Sequence, residues 1–348
     1  MLGTVVDLYS GVGGLTWGFH QTGFQVKVAI EKDPIHAATY SQNYPSTHVI
    51  NRSATEVTAE EIVKIAGADI QILVGGPPCQ RYSIQSRQMD NDPRGLLIWD
   101  FSNKVSLLRP KHFVMENVPG LIAPKFKPVF DALLESFRKI GYGISWRKLN
   151  AAEYGTPQDR NRIIVVGTLV GNKLPRIPKP SQEQVTVQDA IADLPEVENF
   201  PELLEGDAID YSLLGSPSDY VRRLNQKVNI QVITGMQRTS HSPEVQERFL
   251  ATLPNKIEPI SRFKKLAWGG RSNTLRAAYD KAHGNHTPPR PIHPDQGRCI
   301  TVRESARLHG YPDGFRFART KTKAYQQIGN SVPPLLSLAI AQELAKVS

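Results

Sequence analysis

The chain has 348 residues, 40% hydrophobic and 22% charged, which excludes disorder for its bulk and allows a sizeable core without covalent staples. Lys and Arg number 42 against 33 Asp and Glu, and the net charge of +9 favours a polyanionic partner, although charge alone speaks only to solubility and non-specific attraction. At roughly 100–200 residues per domain, the length predicts two domains or one with an appendage.

Up to about residue 168, short β-rich runs alternate with helical ones. The strands expected are Thr4–Leu8, Val26–Glu31, Val49–Asn51, Ile70–Val74, His112–Glu116, Ile144–Leu149 and Ile163–Thr168. Between them, Asp33–Asn43, Ala59–Ala66, Leu96–Leu108 and Pro128–Ile140 read as helices. Strand, crossover helix and strand at this pitch predict an α/β fold with a mostly parallel, doubly wound, Rossmann-like sheet. The pattern then breaks. Residues 170–221 set Lys173, Arg176 and Lys179 against ten carboxylates, a net −7, whereas 222–297 carry thirteen Lys or Arg against five acids, a net +8. Such a shift marks a domain boundary or an insert. Pro333–Lys346 reads as a closing amphipathic helix.

Apolar runs such as Ile163–Val170 fall short of the ~18 residues of a membrane span, so no membrane partner is expected. The amino-terminal stretch has no basic region and carries Asp7, so no signal peptide is expected. With Cys79 and Cys299 as its two cysteines, the chain has no disulfide framework or multi-cysteine zinc site, no metal is expected, and the setting is a reducing, cytoplasmic one.

Two elements carry chemistry on their own. Asp7-Leu8-Tyr9-Ser10-Gly11-Val12-Gly13-Gly14 follows the first strand and opens a helix, and Glu31 ends the second strand. Glycines there admit a ligand close to the backbone, and an acid at that place in such folds holds ribose hydroxyls. Position 16 is Thr where the dinucleotide fingerprint needs a third Gly, which disfavours a dinucleotide. A tight turn with a solvent-facing Glu is the equally weighted alternative. Second, Gly75-Gly76-Pro77-Pro78-Cys79-Gln80 lies at the carboxyl end of the fourth strand, the edge where open α/β sheets bind ligands. Arg81, Arg87 and Arg94 follow, and exposure beside cations is what a reactive thiolate requires. That placement favours Cys79 as a nucleophile. Cys299, between Arg298 and Ile300, reads as structural.

Taken together, the chain resembles the cytosine-5 DNA methyltransferase family of prokaryotic restriction-modification systems. Asp7–Gly14 is similar to its cofactor loop and Gly76–Gln80 to its nucleophile motif. Glu116-Asn117-Val118 is similar to its Glu-Asn-Val, and Gln158-Asp159-Arg160-Asn161-Arg162 to its Gln-x-Arg-x-Arg. Arg298–Glu304 and Gly329–Pro334 are similar to its last two blocks. Each block alone is weak, since Glu116 could be a strand-end ion-pair partner and Asn330 a plain turn. Two apart on a strand, Arg160 and Arg162 would face one side. Six blocks in order are specific.

The resemblance implies a sequence-specific enzyme that moves a methyl group from S-adenosyl-L-methionine, leaving S-adenosyl-L-homocysteine, to carbon 5 of a flipped-out cytosine. Cys79 would add covalently to the neighbouring carbon, Glu116 would serve the ring nitrogen, Arg162 the base carbonyl, and Arg160 the site's charge and geometry. Asp7, Tyr9, Gly11, Val12, Gly13 and Gly14 would surround the cofactor, Glu31 would hold its ribose, and Leu97, Asn330 and Ser331 would complete the wall. Two departures bear on the adenine: Ser53 stands where the family often has an acid, and Lys32 where an aromatic is common. Gln80, Tyr82, Ser83 and Arg87 would close over double-stranded DNA, with Arg222, Arg223, Lys264, Lys265 and Arg271 as further DNA contacts.

The expected division is 1–170 for catalysis and cofactor, 171–297 for hinge and target recognition, and 298–348 as a segment returning to the catalytic part. A monomer on DNA, cytoplasmic and nucleoid-associated, with a separately acting restriction endonuclease, completes the expectation. A tRNA methyltransferase of the same family is disfavoured because neither cysteine is followed by Phe-Thr. A catalytically dead DNA-binding relative is disfavoured by the intact Cys79, Glu116, Arg160 and Arg162. A dinucleotide oxidoreductase leaves five blocks without a role.

Overall fold

The computed structural model describes residues 2–78, 97–181, 183–226, 229–277 and 290–348. The chain divides into two compact units. The first comprises Met1–Asn150, Asn161–Pro180 and Pro334–Ser348, and the second Ala151–Arg160 and Ser181–Pro333.

In the first unit the chain runs β1 (Thr4–Leu8), α1 (Gly14–Gln21), β2 (Gln25–Ile30), α2 (Pro34–Asn43), β3 (His48–Ile50), α3 (Ala59–Ala66), β4 (Ile70–Gly75), α4 (Leu97–Leu108), β5 (His112–Asn117), α5 (Lys127–Lys139) and β6 (Tyr142–Asn150). After β7 (Gln158–Asp159), which belongs to the second unit, β8 (Asn161–Leu169) re-enters the first. One seven-stranded sheet forms in the order β3-β2-β1-β4-β5-β8-β6. The five strands from β3 to β5 pair in parallel, while β8 runs against both β5 and β6. The α/β class and the mostly parallel sheet expected from the sequence are present, and all seven expected strands are found.

Local chemistry explains the element boundaries. Helices on both faces bury the strands, so β1 and β4 read as near-continuous apolar runs. Asp33 caps α2, accepting from Ile35 N and His36 N with Pro34 at the first position. Thr58 and Glu61 form a reciprocal cap on α3, and Gly67 ends it. Under the sheet, Phe101, Phe113, Phe137 and Tyr142 pack with ring centroids 4.4–6.4 Å apart.

The last helix, α11 (Pro334–Ala345), returns to the first unit and packs on α1. Gly18 permits this approach: a Cβ there would sit 2.2 Å from the Ser337 carbonyl carbon. The Ser337 hydroxyl donates to the Leu15 carbonyl at the same crossing.

The second unit has little regular structure: α6 (Val187–Ile191), β9 (Ala208–Asp210), α7 (Asp219–Leu224), β10 (Val232–Thr234), α8 (Pro243–Ala251), β11 (Ser272–Asn273), α9 (Val302–His309) and α10 (Lys321–Asn330). The strands β9 and β10 pair antiparallel, and β11 pairs parallel with β7. Around α9, buried ions tie these short pieces together. Arg307 bridges Asp193 and Asp313, Arg298 is bidentate to Glu304 and reaches Glu198, and Arg303 donates to the carbonyls of Thr234, Pro312 and Phe315. Removing one member of such a buried pair costs far more than the pair contributes, because it strands the other charge.

Two stability effects follow. Gly18→Ala should destabilise the protein by about 1–3 kcal/mol, because backbone rather than a movable side-chain end meets the new methyl; an unchanged urea midpoint would contradict the close α1–α11 crossing. The second effect concerns His112, which is buried in β5 with Nδ1 3.0 Å from the Thr168 hydroxyl. Burial, aided by neighbouring Lys111, pulls its pKa from 6.5 down to about 4. The imidazole is therefore neutral when folded, and the unfolded chain binds the extra proton between those values. The resulting stability is present above pH 6.5 and lost as pH falls toward 4, about 3 kcal/mol in full. His112→Gln should flatten this acid limb in unfolding free energies measured across the window.

Candidate active site

Three segments meet at the carboxyl edge of the sheet in the first unit. The first is the turn between β1 and α1. Tyr9, Gly11 and Gly13 all have left-handed backbone, with φ of 57°, 56° and 86°, and this alternation wraps the chain over the end of β1. Gly13 is required twice over, because a Cβ there would also lie 2.3 Å from the Tyr44 ring. At Gly11, by contrast, nothing approaches within 4 Å of where a Cβ would sit, so this face of the turn is open.

Glu31, just beyond β2, closes the turn from the side. Its carboxylate accepts from Gly11 N at 2.9 Å and from Asp33 N at 2.8 Å, and its carbonyl accepts from Asn51 Nδ2. The solvent-facing Glu that the sequence left open is thus not found. Tyr9 donates its hydroxyl to Asp100 at 2.5 Å, with the Leu97 carbonyl 3.2 Å away. Burial and the Asp100 carboxylate push the phenol far above its usual range. Ser53 faces Thr55, hydroxyl to hydroxyl at 2.8 Å.

Two of the expected cofactor residues turn their side chains inward. The Asp7 side chain is buried beneath the turn and accepts from Thr16 Oγ1 at 2.6 Å; Thr16 in turn meets the Tyr40 hydroxyl at 2.6 Å. Burial raises the Asp7 pKa to about 7 against the opposing pull of Thr16, with Glu31 adding to the rise. Val12 is likewise buried. Both side chains support the turn from inside instead of lining it.

The second segment is Gly76-Pro77-Pro78. Asn117 Nδ2, at the end of β5, donates to the Pro77 carbonyl at 3.3 Å, while its Oδ1 accepts from Val118 N at 2.8 Å. Cys79, Gln80, Tyr82, Ser83 and Arg87 lie outside the described residues.

The third segment pairs Glu116 with Arg162. Because β8 opposes β5 in the register Glu116↔Ile164 and Asn117↔Ile163, the first residues of β8 arrive at the carboxyl end of β5. Arg162 Nε lies 2.5 Å from Glu116 Oε1, and the two side chains are only 12% and 13% exposed. The other carboxylate oxygen faces Gly76, where a Cβ would come within 3.1 Å. An acid, a guanidinium and the Pro-Pro turn therefore converge from three strands, which sets a carboxyl group and a fixed cation beside Gly76 at the start of that turn.

Arg160 and Arg162 do not share a strand face, contrary to the sequence expectation. β7 ends at Asp159, β8 begins at Asn161, and the break turns Arg160 into the second unit. There it is fully buried and donates to the carbonyls of Leu275, Gly329 and Ser331 at 2.9, 2.7 and 2.9 Å. His309 Nε2 lies 3.1 Å from the Ser331 hydroxyl, and its Nδ1 lies 3.0 Å from Gln158 Nε2. Ser331 is thus held from two directions, whereas neighbouring Asn330, at the end of α10, is exposed.

The basic candidates separate once their partners are seen. Arg222 bonds Asp219, Arg223 is bidentate to Glu183, and Arg271 lies 3.4 Å from Asp159, all at exposed positions. Lys264 is half-buried. Lys265 is corrected: its ammonium is buried and donates to the carbonyls of Phe249 and Leu250, closing the carboxyl end of α8, so it cannot meet a phosphate. Cys299 is buried as expected, its thiol pushed up to about 12 by burial. The sequence reading did not single out Asp100, which sits on a helix with no local motif, nor His309, whose partners are contributed by distant segments.

Among the described residues there is no cluster of metal-binding side chains and no helix long and apolar enough to cross a membrane. The family model for C-5 cytosine-specific DNA methylase matches residues 3–346. The chain is 43% identical to the Type II methyltransferase M.XorII of Xanthomonas oryzae pv. oryzae, over 98% of this chain and 84% of that one. It is 33% identical to M1.HphI of Haemophilus parahaemolyticus, over 99% and 87%. Among solved structures it is similar to one described as a DNA modification methyltransferase of an E. coli prophage, with a TM-score of 0.84, 30% identity and 99% of each chain covered. Spodoptera frugiperda DNMT2, with a TM-score of 0.64 and 16% identity over 98% of this chain and 99% of that one, shares the fold. With sheet, motif order and family model in agreement, the chain belongs to the C-5 cytosine-specific DNA methylase family and is a DNA (cytosine-5-)-methyltransferase.

Proposed function

We propose that this enzyme methylates carbon 5 of a cytosine flipped out of duplex DNA, with S-adenosyl-L-methionine as donor and a transient Cys79 adduct, as the modification half of a Type II restriction-modification system. The Glu116–Arg162 pair facing Gly76 is the observation that carries the reading, because it sets two groups suited to a polar base edge beside the motif that ends in Cys79.

Carbon 5 is a poor nucleophile while the ring is aromatic. Addition of the Cys79 thiolate to carbon 6 forms a C–S bond and drives electron density toward carbon 5 and the ring nitrogen. Glu116 gives the nitrogen its proton, and Arg162 turns its guanidinium to the ring carbonyl, stabilising charge where it develops. Carbon 5 then takes the methyl, the electron pair of the broken S–C bond staying on the donor's sulfur; the ring nitrogen returns its proton to Glu116, a base removes the carbon-5 proton, and the returning electron pair expels the thiolate and restores the ring. Extrusion of the base costs on the order of a few kcal/mol, offset by contacts from the 80–87 segment with Gln80, Tyr82, Ser83 and Arg87.

The residues of the turn fit the cofactor. Gly11 leaves an open face, and Glu31 already accepts from two N–H groups there and is placed to take ribose hydroxyls instead. Tyr9, Leu97, Gly13 and Gly14 form the rest of this cradle, with Asn330 and Ser331 retained on the family resemblance. When bound, the cofactor supplies an electrophilic methyl group. Arg160 acts as a positioning residue through the Gly329–Ser331 carbonyls. Arg222, Arg223, Lys264 and Arg271 remain DNA contacts in this reading, the three arginines exchanging carboxylate partners for phosphates. The enzyme works as a monomer inside the cell, on nucleoid DNA, beside a separately acting endonuclease.

Labelled S-adenosylmethionine should transfer its methyl to unmethylated genomic DNA and not to bulk tRNA. Cys79→Ala should abolish transfer, and Glu116→Gln should lower kcat/KM by roughly 10²–10⁴-fold. Labelling of tRNA alone, or of DNA by Cys79→Ala, would overturn the reading. Separately, Glu31→Gln should weaken S-adenosylmethionine binding by about tenfold or more in calorimetry without DNA; unchanged affinity would remove Glu31 from the ribose.

A further inference from the structure

In the second unit, Arg290 and Lys321 come together around Thr239, a grouping that the active site does not use. Lys321 Nζ and Arg290 Nη1 each lie 3.4 Å from the one Thr239 hydroxyl, and Lys321 Nζ also donates to the Arg238 carbonyl at 2.9 Å. The Arg290 guanidinium rests 4.2 Å from the centre of the Tyr325 ring, which fixes its plane. No carboxylate of the described residues bonds either side chain. Asp207, the acid acting on Lys321, is occupied by the N–H groups of Gly235 and Gln237.

Two further observations suit this place to an anion. The Nε atom of Arg290 is buried without a hydrogen-bond partner, an arrangement folded proteins rarely leave unanswered. In addition, α10 begins at Lys321 with no acid in its first turn and no side-chain cap from Thr320. Cations at a helix amino end oppose its dipole, so Lys321 and Lys323 stand where a negative group belongs. The stretch Arg316–Lys323 adds Arg319 and holds four cations and no acid in eight residues. The field shows in the neighbouring groups. Burial and Arg290 hold the Lys321 pKa below its ordinary value, and burial with Arg290 and Lys321 does the same to His241.

We propose that Arg290 and Lys321, with the Thr239 hydroxyl and the amino end of α10, form a cradle for a phosphate group, occupied in use by a backbone phosphate of the DNA duplex. Its occupant rests on the DNA reading above, while the cradle rests on its own geometry. A phosphodiester suits it because a guanidinium and an ammonium offer converging donors to non-bridging oxygens, and the contact would set the position of the duplex without reading its sequence.

Duplex affinity measured against salt concentration tests the proposal. Each of Lys321→Gln and Arg290→Gln should weaken binding by roughly threefold, equally for cognate and unrelated duplexes, and reduce the log–log salt slope by about 0.9. Lys321→Arg should restore the slope, and Arg138→Gln, an exposed surface change, should leave it unaltered. Slopes unchanged in both Gln variants would overturn the DNA assignment. If inorganic phosphate then raised the wild-type melting temperature but not that of the variants, the cradle would be a free-phosphate site. If phosphate had no such effect, no anion site would remain. A wild-type protein that neither binds nor methylates DNA would instead sink the functional reading, a result distinct from normal methylation with unchanged variant slopes.

Discussion

β8 pairs antiparallel with β5, and that pairing puts Arg162 against Glu116. In an all-parallel sheet the strand after β5 would begin at the opposite edge, and a cation two residues from its start would lie far from the carboxyl end of β5. The reversal brings the amino end of β8 to the same edge as the β1 turn, Glu31 and the Gly76-Pro77 turn. Because the pair is largely shielded from water, the guanidinium also resists displacement by solvent, so the carboxylate stays oriented toward Gly76. A ligand that reaches Glu116 must therefore compete with, or share, a preformed charge-assisted bond. Such an arrangement favours a polar planar group over an apolar one.

Much of this was legible in the sequence, for identifiable reasons. The central strands β1, β4, β5 and β8 are buried on both faces and bounded by turn residues, so each stands out as a short apolar run. Asp33-Pro34 and Thr58-x-x-Glu61 mark helix starts through local hydrogen bonds that need no tertiary context. Glycine spacing in the β1 turn was likewise readable, because left-handed backbone at 11 and 13 is a demand the chain answers locally. The order of the motifs did the rest, since each block alone has an ordinary structural explanation.

What could not be read depends on register and burial. Strand alternation puts residues 160 and 162 on one side only if a single strand runs through both, and the break at Arg160 is set by carbonyls at 275, 329 and 331, more than a hundred residues away. Lys264 and Lys265 look equivalent as adjacent charges. The bridge Ile257↔Lys264 and the hydrogen bond from Lys265 N to the Lys256 carbonyl separate them, sending the Lys265 ammonium beneath α8. Asp7 looked like a ligand-facing acid because it opens the motif. Its position in β1, with Ala29 and Val74 as neighbours, makes it an interior residue instead.

The same distinction governs the basic half of the chain. A surplus of eight charges in residues 222–297 describes a field, not a contact, and the cations contributing to it divide by what they already hold. Arg222, Arg223 and Arg271 have carboxylate partners, so bringing a phosphate to them exchanges one ion pair for another and gains little. Arg290, and Lys321 just beyond that stretch, hold only carbonyl and hydroxyl oxygens and an aromatic face, and the two repel each other. An arriving phosphate there removes a repulsion as well as making new bonds. The cations that matter most for a polyanion are therefore those whose acids are missing, a property that emerges only when the fold shows which carboxylates are near.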